Sequence, residues 1–480
     1  MNNYLSAATT KIQNVVLVAI YIALLLLTLA SITPTTLTAA NALSMKSSIS
    51  SSLASSSTTN ETGNGNGNDR DLWPYNGKRL KGIVSPLVTP LLDNGNEIDV
   101  DGTKKLIEHV INGGVCGIFL LGTTGEGPTL SSQLKREFVT TCCEIIKDSK
   151  RRVPVLVLIT ESSLAETIAF GQFIKQLKGG DGGVASALSI TGVLTTPYYY
   201  PLDQSELLRY VDLVIDGINN NRIDNADKGE DGGGGESSSS SSSSLLPIML
   251  YNIPGLTKTR WDIETIKQIA IKYSNNNNKG VGNIQDCNQI IVGIKDSSGD
   301  LQYFDKLCQL RSTMQESCSS SSIMSHWTIM IGPEHLTKDA IIDCDGDGGV
   351  NGGSNVEPNL FVQLYETATK VKERRSRTTT NNSNGDDDDD NNNNEEEEDK
   401  DKERTQILQT RLNSLMERVI AFQDIYKVGR RKFGYIGATK CALVIRNIIS
   451  TDCMVEPMIP FTSNEESEQV ESILKNLPKI

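Results

Sequence analysis

From Gly82 onward the chain alternates short, almost wholly apolar runs with amphipathic segments, and this alternation constrains the fold more than any other feature. The apolar runs are Gly82–Val88, Cys116–Leu121, Val153–Ile159, Thr191–Thr196, Pro247–Tyr251, Ile290–Lys295, Trp327–Ile331 and Gly348–Gly353. Strands that are apolar on both faces belong to a parallel sheet covered by helices. The helical patterns between them are Asp101–Asn112, Ser131–Lys147, Leu164–Leu177, Gln204–Ile218, Ile263–Lys272, Leu301–Leu310 and Leu336–Cys344. Eight such units predict a closed (β/α)8 barrel over 79–373, with Pro358–Lys372 as its eighth helix. A doubly wound sheet is disfavoured because no GxGxxG follows the first run. Thr405–Phe422, Thr439–Ser450 and Glu465–Leu477 then form a C-terminal helical appendage within 405–480.

Low-complexity stretches account for the rest of the 480 residues. Segments 219–244, 274–288 and 312–326 are rich in Ser, Asn or Gly, and 374–404 is acidic and Asn-rich, compositions that bury too little apolar surface to fold alone. Those within the barrel fall mainly where a helix returns to a strand, at the end of the barrel away from the catalytic face. The net charge of -13 is concentrated in Asp386–Asp390 and Glu395–Asp399, so the body is near neutral and gives no electrostatic case for nucleic acid. Nine cysteines include no CxxC pair, and His109, His326 and His335 are scattered, so neither a disulfide framework nor a metal site is expected.

Residues Val15–Ala30 are apolar, follow Lys11 and precede the small-residue tripeptide Ala40-Asn41-Ala42, the pattern of a signal peptide over 1–42. Residues 43–78 open as a Ser- and Thr-rich stretch, and the first acidic residue of the chain is Glu61, which is how a transit segment reads. The two together resemble the bipartite presequence of a plastid enclosed by endomembrane. Secretion and retention in the endoplasmic reticulum are the alternatives, which a reporter fused to 1–70 separates.

In a barrel of this kind the chemistry collects at the C-terminal ends of strands. The second run ends in Gly122-Thr123-Thr124-Gly125-Glu126-Gly127, whose backbone N–H groups and two hydroxyls suit a carboxylate. The sixth ends in Lys295, alone in an apolar strand, where burial favours the neutral amine that attacks a carbonyl to form a Schiff base. Tyr251 ends the fifth run, placing a phenol beside it for proton transfer. A lone strand-end lysine is ordinarily a solvated surface residue; it is the joint placement on the second, fifth and sixth strands that points to one site.

GTTGE at 122–126, PYYYP at 197–201, YNIP at 251–254, GIKDSSGDL at 293–301 and a closing P-x-x-P-F at 457–461 resemble the pyruvate-dependent class I aldolases of the dihydrodipicolinate synthase and N-acetylneuraminate lyase superfamily. The resemblance implies that Lys295 is the Schiff-base lysine, Tyr251 the acid/base tyrosine, and Gly122, Thr123 and Thr124 the carboxylate site. It implies that Tyr199 completes a proton relay across a subunit interface in a homo-oligomer, dimer or tetramer, that pyruvate is a substrate, and that no metal or organic cofactor is needed. Two departures stand out. Leu256 occupies the place of the arginine with which the synthases hold their second substrate's carboxylate, although Lys258 and Arg260 follow closely, and Ile159-Thr160-Glu161-Ser162 replaces a GTG-like strand end. YNIPGLT and KDSSGDL are similar to the lyase versions of these motifs, with Ser297, Gly332 and Glu334 at positions where lyases contact sugar hydroxyls. The favoured expectation is reversible cleavage of a 2-keto-3-deoxy sugar acid. A lysine-pathway synthase using aspartate semialdehyde and a catalytically silent barrel are the alternatives.

Overall fold

Each of the eight apolar runs forms a strand, and the strands close on themselves. In the computed structural model, which describes residues 73–74, 78–92, 95–179, 188–220, 245–274, 290–316, 324–381, 392–430, 433–461 and 464–480, the barrel strands are β1 (Gly82–Pro86), β2 (Gly117–Leu120), β3 (Val155–Leu158), β4 (Ile190–Thr195), β5 (Ile248–Asn252), β6 (Ile291–Asp296), β7 (Thr328–Ile331) and β8 (Gly348–Val350). Every neighbouring pair is parallel, and β8 pairs with β1 to close the ring. All of these residues are buried, as strands lying between a packed interior and a helical coat must be. Where β8 passes β1, a Cβ on Gly348 would lie 1.8 Å from the Gly82 carbonyl oxygen, so only glycine fits there.

The coat consists of α1 (Val100–Asn112), α2 (Ser132–Asp148), α3 (Leu164–Gly179), α4 (Gln204–Asn220), α5 (Ile263–Ser274), α6 (Leu301–Glu316), α7 (Thr337–Ile342) and α8 (Pro358–Asn381). Local chemistry sets their starts: Asp99 accepts from the Gly102 amide at 2.8 Å to cap α1, and Ser131 accepts from Leu134 at 3.2 Å to cap α2. On α2 the buried Phe138, Val139, Cys142, Cys143 and Ile146 recur at helical spacing and form the face laid on the barrel. The undescribed stretches after α3, α4, α5 and α6 each join a helix to the next strand, so their flanks lie at the N-terminal end of the barrel. The expected signal peptide over 1–42, and the expected transit segment over 43–78 apart from residues 73–74 and 78, lie outside the described residues.

Two features depart from expectation. A hairpin pairs Leu91–Leu92 with Glu97–Ile98 between β1 and α1. The helices also run into the acidic stretch: α8 extends to Asn381, and α9 (Asn392–Phe422) begins well before Thr405. Glu, Lys and Arg are good helix formers once a partner helix is present, and Arg374 on α8 pairs with Asp401 on α9. Toward its end α9 buries Leu412, Leu415, Val419 and Phe422, with Phe422 edge-on to Phe361 of α8 at 6.5 Å. Then α10 (Gly434–Ile445) and α11 (Asn464–Lys475) complete the appendage.

Candidate active site

Register brings the candidate side chains together. Thr195 of β4 pairs with Tyr251 of β5, which pairs with Lys295 of β6. Neighbouring residues on a strand point to opposite faces, so Tyr251 and Lys295 share one face while Asn252 and Asp296 share the other. Lys295 is 6% exposed and Tyr251 3%. The Lys295 Nζ lies 4.1 Å from the centroid of the Tyr251 ring and 4.8 Å from that of Phe119, and the two rings meet edge to face at 6.0 Å. The amine therefore has aromatic surface beside it where most lysines have water.

Behind the reactive pair, Asn252 donates to the Asp296 carboxylate at 2.7 Å, which also accepts from the Ser298 amide and hydroxyl. Burial raises the Asp296 carboxyl and these donors pull it back down. The Trp261 indole donates to the Tyr251 carbonyl at 3.2 Å. These bonds fix the backbone that carries Tyr251 and Lys295 from the side facing the helices.

Gly122, Thr123 and Thr124 lie at the end of β2. A Cβ on Gly122 would come within 2.7 Å of the Phe119 ring, so this turn sits directly on the aromatic that flanks Lys295. The next glycines are equally confined: a Cβ on Gly127 would lie 1.8 Å from the Leu121 carbonyl oxygen. Ser297 and Gly332 also meet at the mouth, because a Cβ on Gly332 would lie 2.0 Å from the Ser297 hydroxyl.

Glu334 reaches the same end of the barrel but is not free. Its carboxylate accepts from the Gly353 amide at 2.5 Å, Gln423 Nε2 at 3.0 Å and the Tyr426 hydroxyl at 3.1 Å. Burial raises its carboxyl, against the pull of those three donors. Glu334, expected to meet sugar hydroxyls, thus has protein donors from the Gly352–Asn355 turn and from the segment after α9 on both of its oxygens, two on Oε1 and one on Oε2. Tyr199 is also apart from the pocket, 88% exposed with φ 68° and stacked edge-on against Tyr200 at 5.0 Å.

Three phenols converge on the mouth, and two of them were not singled out from the sequence. Burial raises the Tyr198 phenol well above the ordinary range, with the nearby Tyr251 and Glu161 acting in the same direction. Tyr435, on α10, is likewise raised by burial and by proximity to Tyr251. The run of three tyrosines at 198–200 was the available signal for the first. At the replaced β3 end, the Lys135 Nζ holds both oxygens of Glu161 at 2.6 Å.

Leu256 is 39% exposed and carries no charge. Arg260 is drawn away to Asp300 at 3.6 Å and lies 5.0 Å from the Tyr303 ring centroid. Lys258, in the left-handed conformation, donates to the Gly255 carbonyl at 3.5 Å.

Residues 79–223 match the model described as the Dihydrodipicolinate synthetase family. The 4-hydroxy-tetrahydrodipicolinate synthase of Methanococcus aeolicus is 28% identical over 298 residues, 62% of this chain and 79% of that one. A protein of Escherichia coli described as putative 2-dehydro-3-deoxy-D-gluconate aldolase YagE is 27% identical over 284 residues, 59% of this chain and 72% of its own. Among solved structures, dihydrodipicolinate synthase from Bacteroides thetaiotaomicron has a TM-score of 0.57 at 28% identity, covering 83% of this chain and 99% of that one.

Proposed function

The chain belongs to the dihydrodipicolinate synthase and N-acetylneuraminate lyase superfamily of class I, pyruvate-using aldolases, and from that premise we propose that it reversibly cleaves a 2-keto-3-deoxy sugar acid to pyruvate and an aldehyde. The observation that carries the chemistry is the Lys295 amine, buried in register with Tyr251 and flanked by two rings. The amine adds to the C2 carbonyl of the substrate and water leaves, forming the Schiff base. Tyr251 gives its proton to the hydroxyl that leaves as water, and the resulting phenolate then accepts the proton of the C4 hydroxyl; the C3–C4 bond breaks, and its electron pair passes into the Schiff base as an enamine while the aldehyde departs. Protonation at C3 and hydrolysis then release pyruvate and restore the amine. Thr123 and Thr124 hold the substrate carboxylate, and Ser297 beside Gly332 meets a hydroxyl.

Leu256 favours sugar acids over aspartate semialdehyde, because an anionic second substrate needs a charge-assisted contact, and Arg260 is engaged with Asp300. The synthase remains the second reading, favoured by the curated synthase relative. Two exposed tyrosines beside the mouth, Tyr199 and Tyr200, support a homo-oligomeric arrangement in which a second copy covers them.

The test compares rates. Wild-type protein should release pyruvate from a keto-deoxy sugar acid with a higher kcat/KM than it condenses pyruvate with aspartate semialdehyde, and Leu256→Arg should move the ratio toward condensation. Borohydride with pyruvate should leave one reduced adduct on Lys295. No adduct on folded protein sinks both enzyme readings and favours a silent barrel, and a better synthase than lyase replaces the substrate class.

A further inference from the structure

Lys440 lies in the middle of α10, whose sequence GYIGATKCALVI is otherwise apolar, small or uncharged, and its side chain is wholly buried. An ammonium stripped of water needs a counter-charge, and this one has it in Glu126, equally buried, at the end of the Gly122–Glu126 turn. The pair is tied into the following segment: Lys440 donates to the Cys453 carbonyl, and the Val455 amide donates to Glu126 Oε2 at 2.9 Å. Burial pushes the Lys440 ammonium below its ordinary range while Glu126 draws it back up.

The turn needs outside support. Leu121 and Glu126 both adopt positive φ, 59° and 56°, a region that disfavours side chains other than glycine. Within the turn, the Gly125 amide bonds to the Gly122 carbonyl at 3.0 Å and the Glu126 amide to the Thr123 carbonyl at 3.2 Å, and the Thr89 hydroxyl donates to the Gly125 carbonyl at 2.7 Å. None of these reaches the two threonine side chains. A Cβ on Gly352 would lie 3.9 Å from the Thr124 hydroxyl, which places that hydroxyl among groups, Glu334 and Tyr426, that are themselves bonded across to the appendage. The turn thus lies between the barrel strand it ends and the C-terminal helices.

We infer that the buried Glu126–Lys440 pair is a positioning device, through which the C-terminal helices hold Thr123 and Thr124 in the conformation that receives the substrate carboxylate. The inference rests on the aldolase reading, and its test is chosen to fail separately. Pyruvate and methyl pyruvate present the same carbonyl to Lys295, but only pyruvate offers a carboxylate to the turn. Half-saturation for borohydride trapping is measured for both compounds on wild type, on Glu126→Gln, and on Glu126→Gln with Lys440→Met, which leaves no unpaired buried charge. Folding is checked by circular dichroism melts.

Half-saturation for pyruvate should rise roughly tenfold or more in the variants, while that for methyl pyruvate changes less than about threefold, because only the charge-assisted part of binding is lost. A general loosening of the fold would weaken both compounds alike. Wild-type discrimination in either folded variant overturns the inference. Failure of both variants to fold also overturns it, leaving the pair a structural support alone. Absence of any adduct on wild type is a different failure, removing the aldolase premise itself.

Discussion

Replacing Tyr251 with Phe separates proton transfer from Schiff-base formation, and the geometry sets the size of each effect. The ring is 3% exposed, packs edge-on against Phe119 and lies 4.1 Å from the Lys295 amine, and Phe keeps all of those contacts. The backbone bond from Trp261 goes to the Tyr251 carbonyl and is also kept. Losing one hydroxyl therefore costs stability on the order of 1 kcal/mol. A general acid/base contributes about 10²- to 10⁴-fold to turnover, which is about 2.7–5.4 kcal/mol of barrier at 1.36 kcal/mol per tenfold. The kinetic loss should exceed the stability loss severalfold. Steady-state pyruvate release gives the turnover, a urea titration gives the stability, and borohydride trapping with pyruvate reports whether Lys295 still forms its adduct. The expected pattern is slow turnover with an adduct retained. Turnover within a few-fold of wild type would refute the proton-transfer role, and loss of the adduct would show that the hydroxyl serves Schiff-base formation instead.

Glu334 offers a pH readout. Its carboxyl is raised above 4.5 by burial, so the native state prefers the protonated form, and the stability this group contributes is complete below pH 4.5 and lost as pH rises through the raised native value. Glu334→Gln cannot ionise and should gain in Tm relative to wild type as pH rises above about 4.5; parallel Tm profiles would contradict this. For assembly, sedimentation should show wild-type protein as a dimer or tetramer and Tyr199→Ala, at an 88% exposed position, shifted toward smaller species. A wild type that sediments as a monomer at every concentration would remove the interface role of Tyr199.

The barrel and the juxtaposition of Lys295 with Tyr251 were legible because both are written in local pattern. Runs apolar on both faces specify parallel strands, and Lys295 and Tyr251 stand at the ends of two such runs, so the fold alone makes them neighbours. The hairpin at Leu91–Ile98 was not legible, since two-residue strands carry no period to read. The helical ends of α8 and α9 were hidden because composition registers like charge but not the cross-helix pairing of Arg374 with Asp401. Glu334 shows the same limit at the site. Its position on the barrel was readable, yet the direction of its carboxylate is decided by Gln423 and Tyr426, some ninety residues away.

Lys440 marks a different kind of omission. The reasoning that singled out Lys295, a lone cation in an apolar element, applies unchanged to the lysine in GYIGATKCALVI, and there too the structure finds it buried. The two lysines diverge only in their partners. Lys440 meets a carboxylate in a buried ion pair, whereas Lys295 meets two aromatic rings and has no carboxylate ion-paired with it among the described residues. A nucleophilic amine must have its nitrogen open to a carbonyl carbon, and the Lys440 Nζ is taken up by Glu126 and the Cys453 carbonyl. A buried lysine in an apolar element therefore becomes a candidate nucleophile only once its counter-charge is known to be absent, and that is a fact of tertiary structure rather than of sequence.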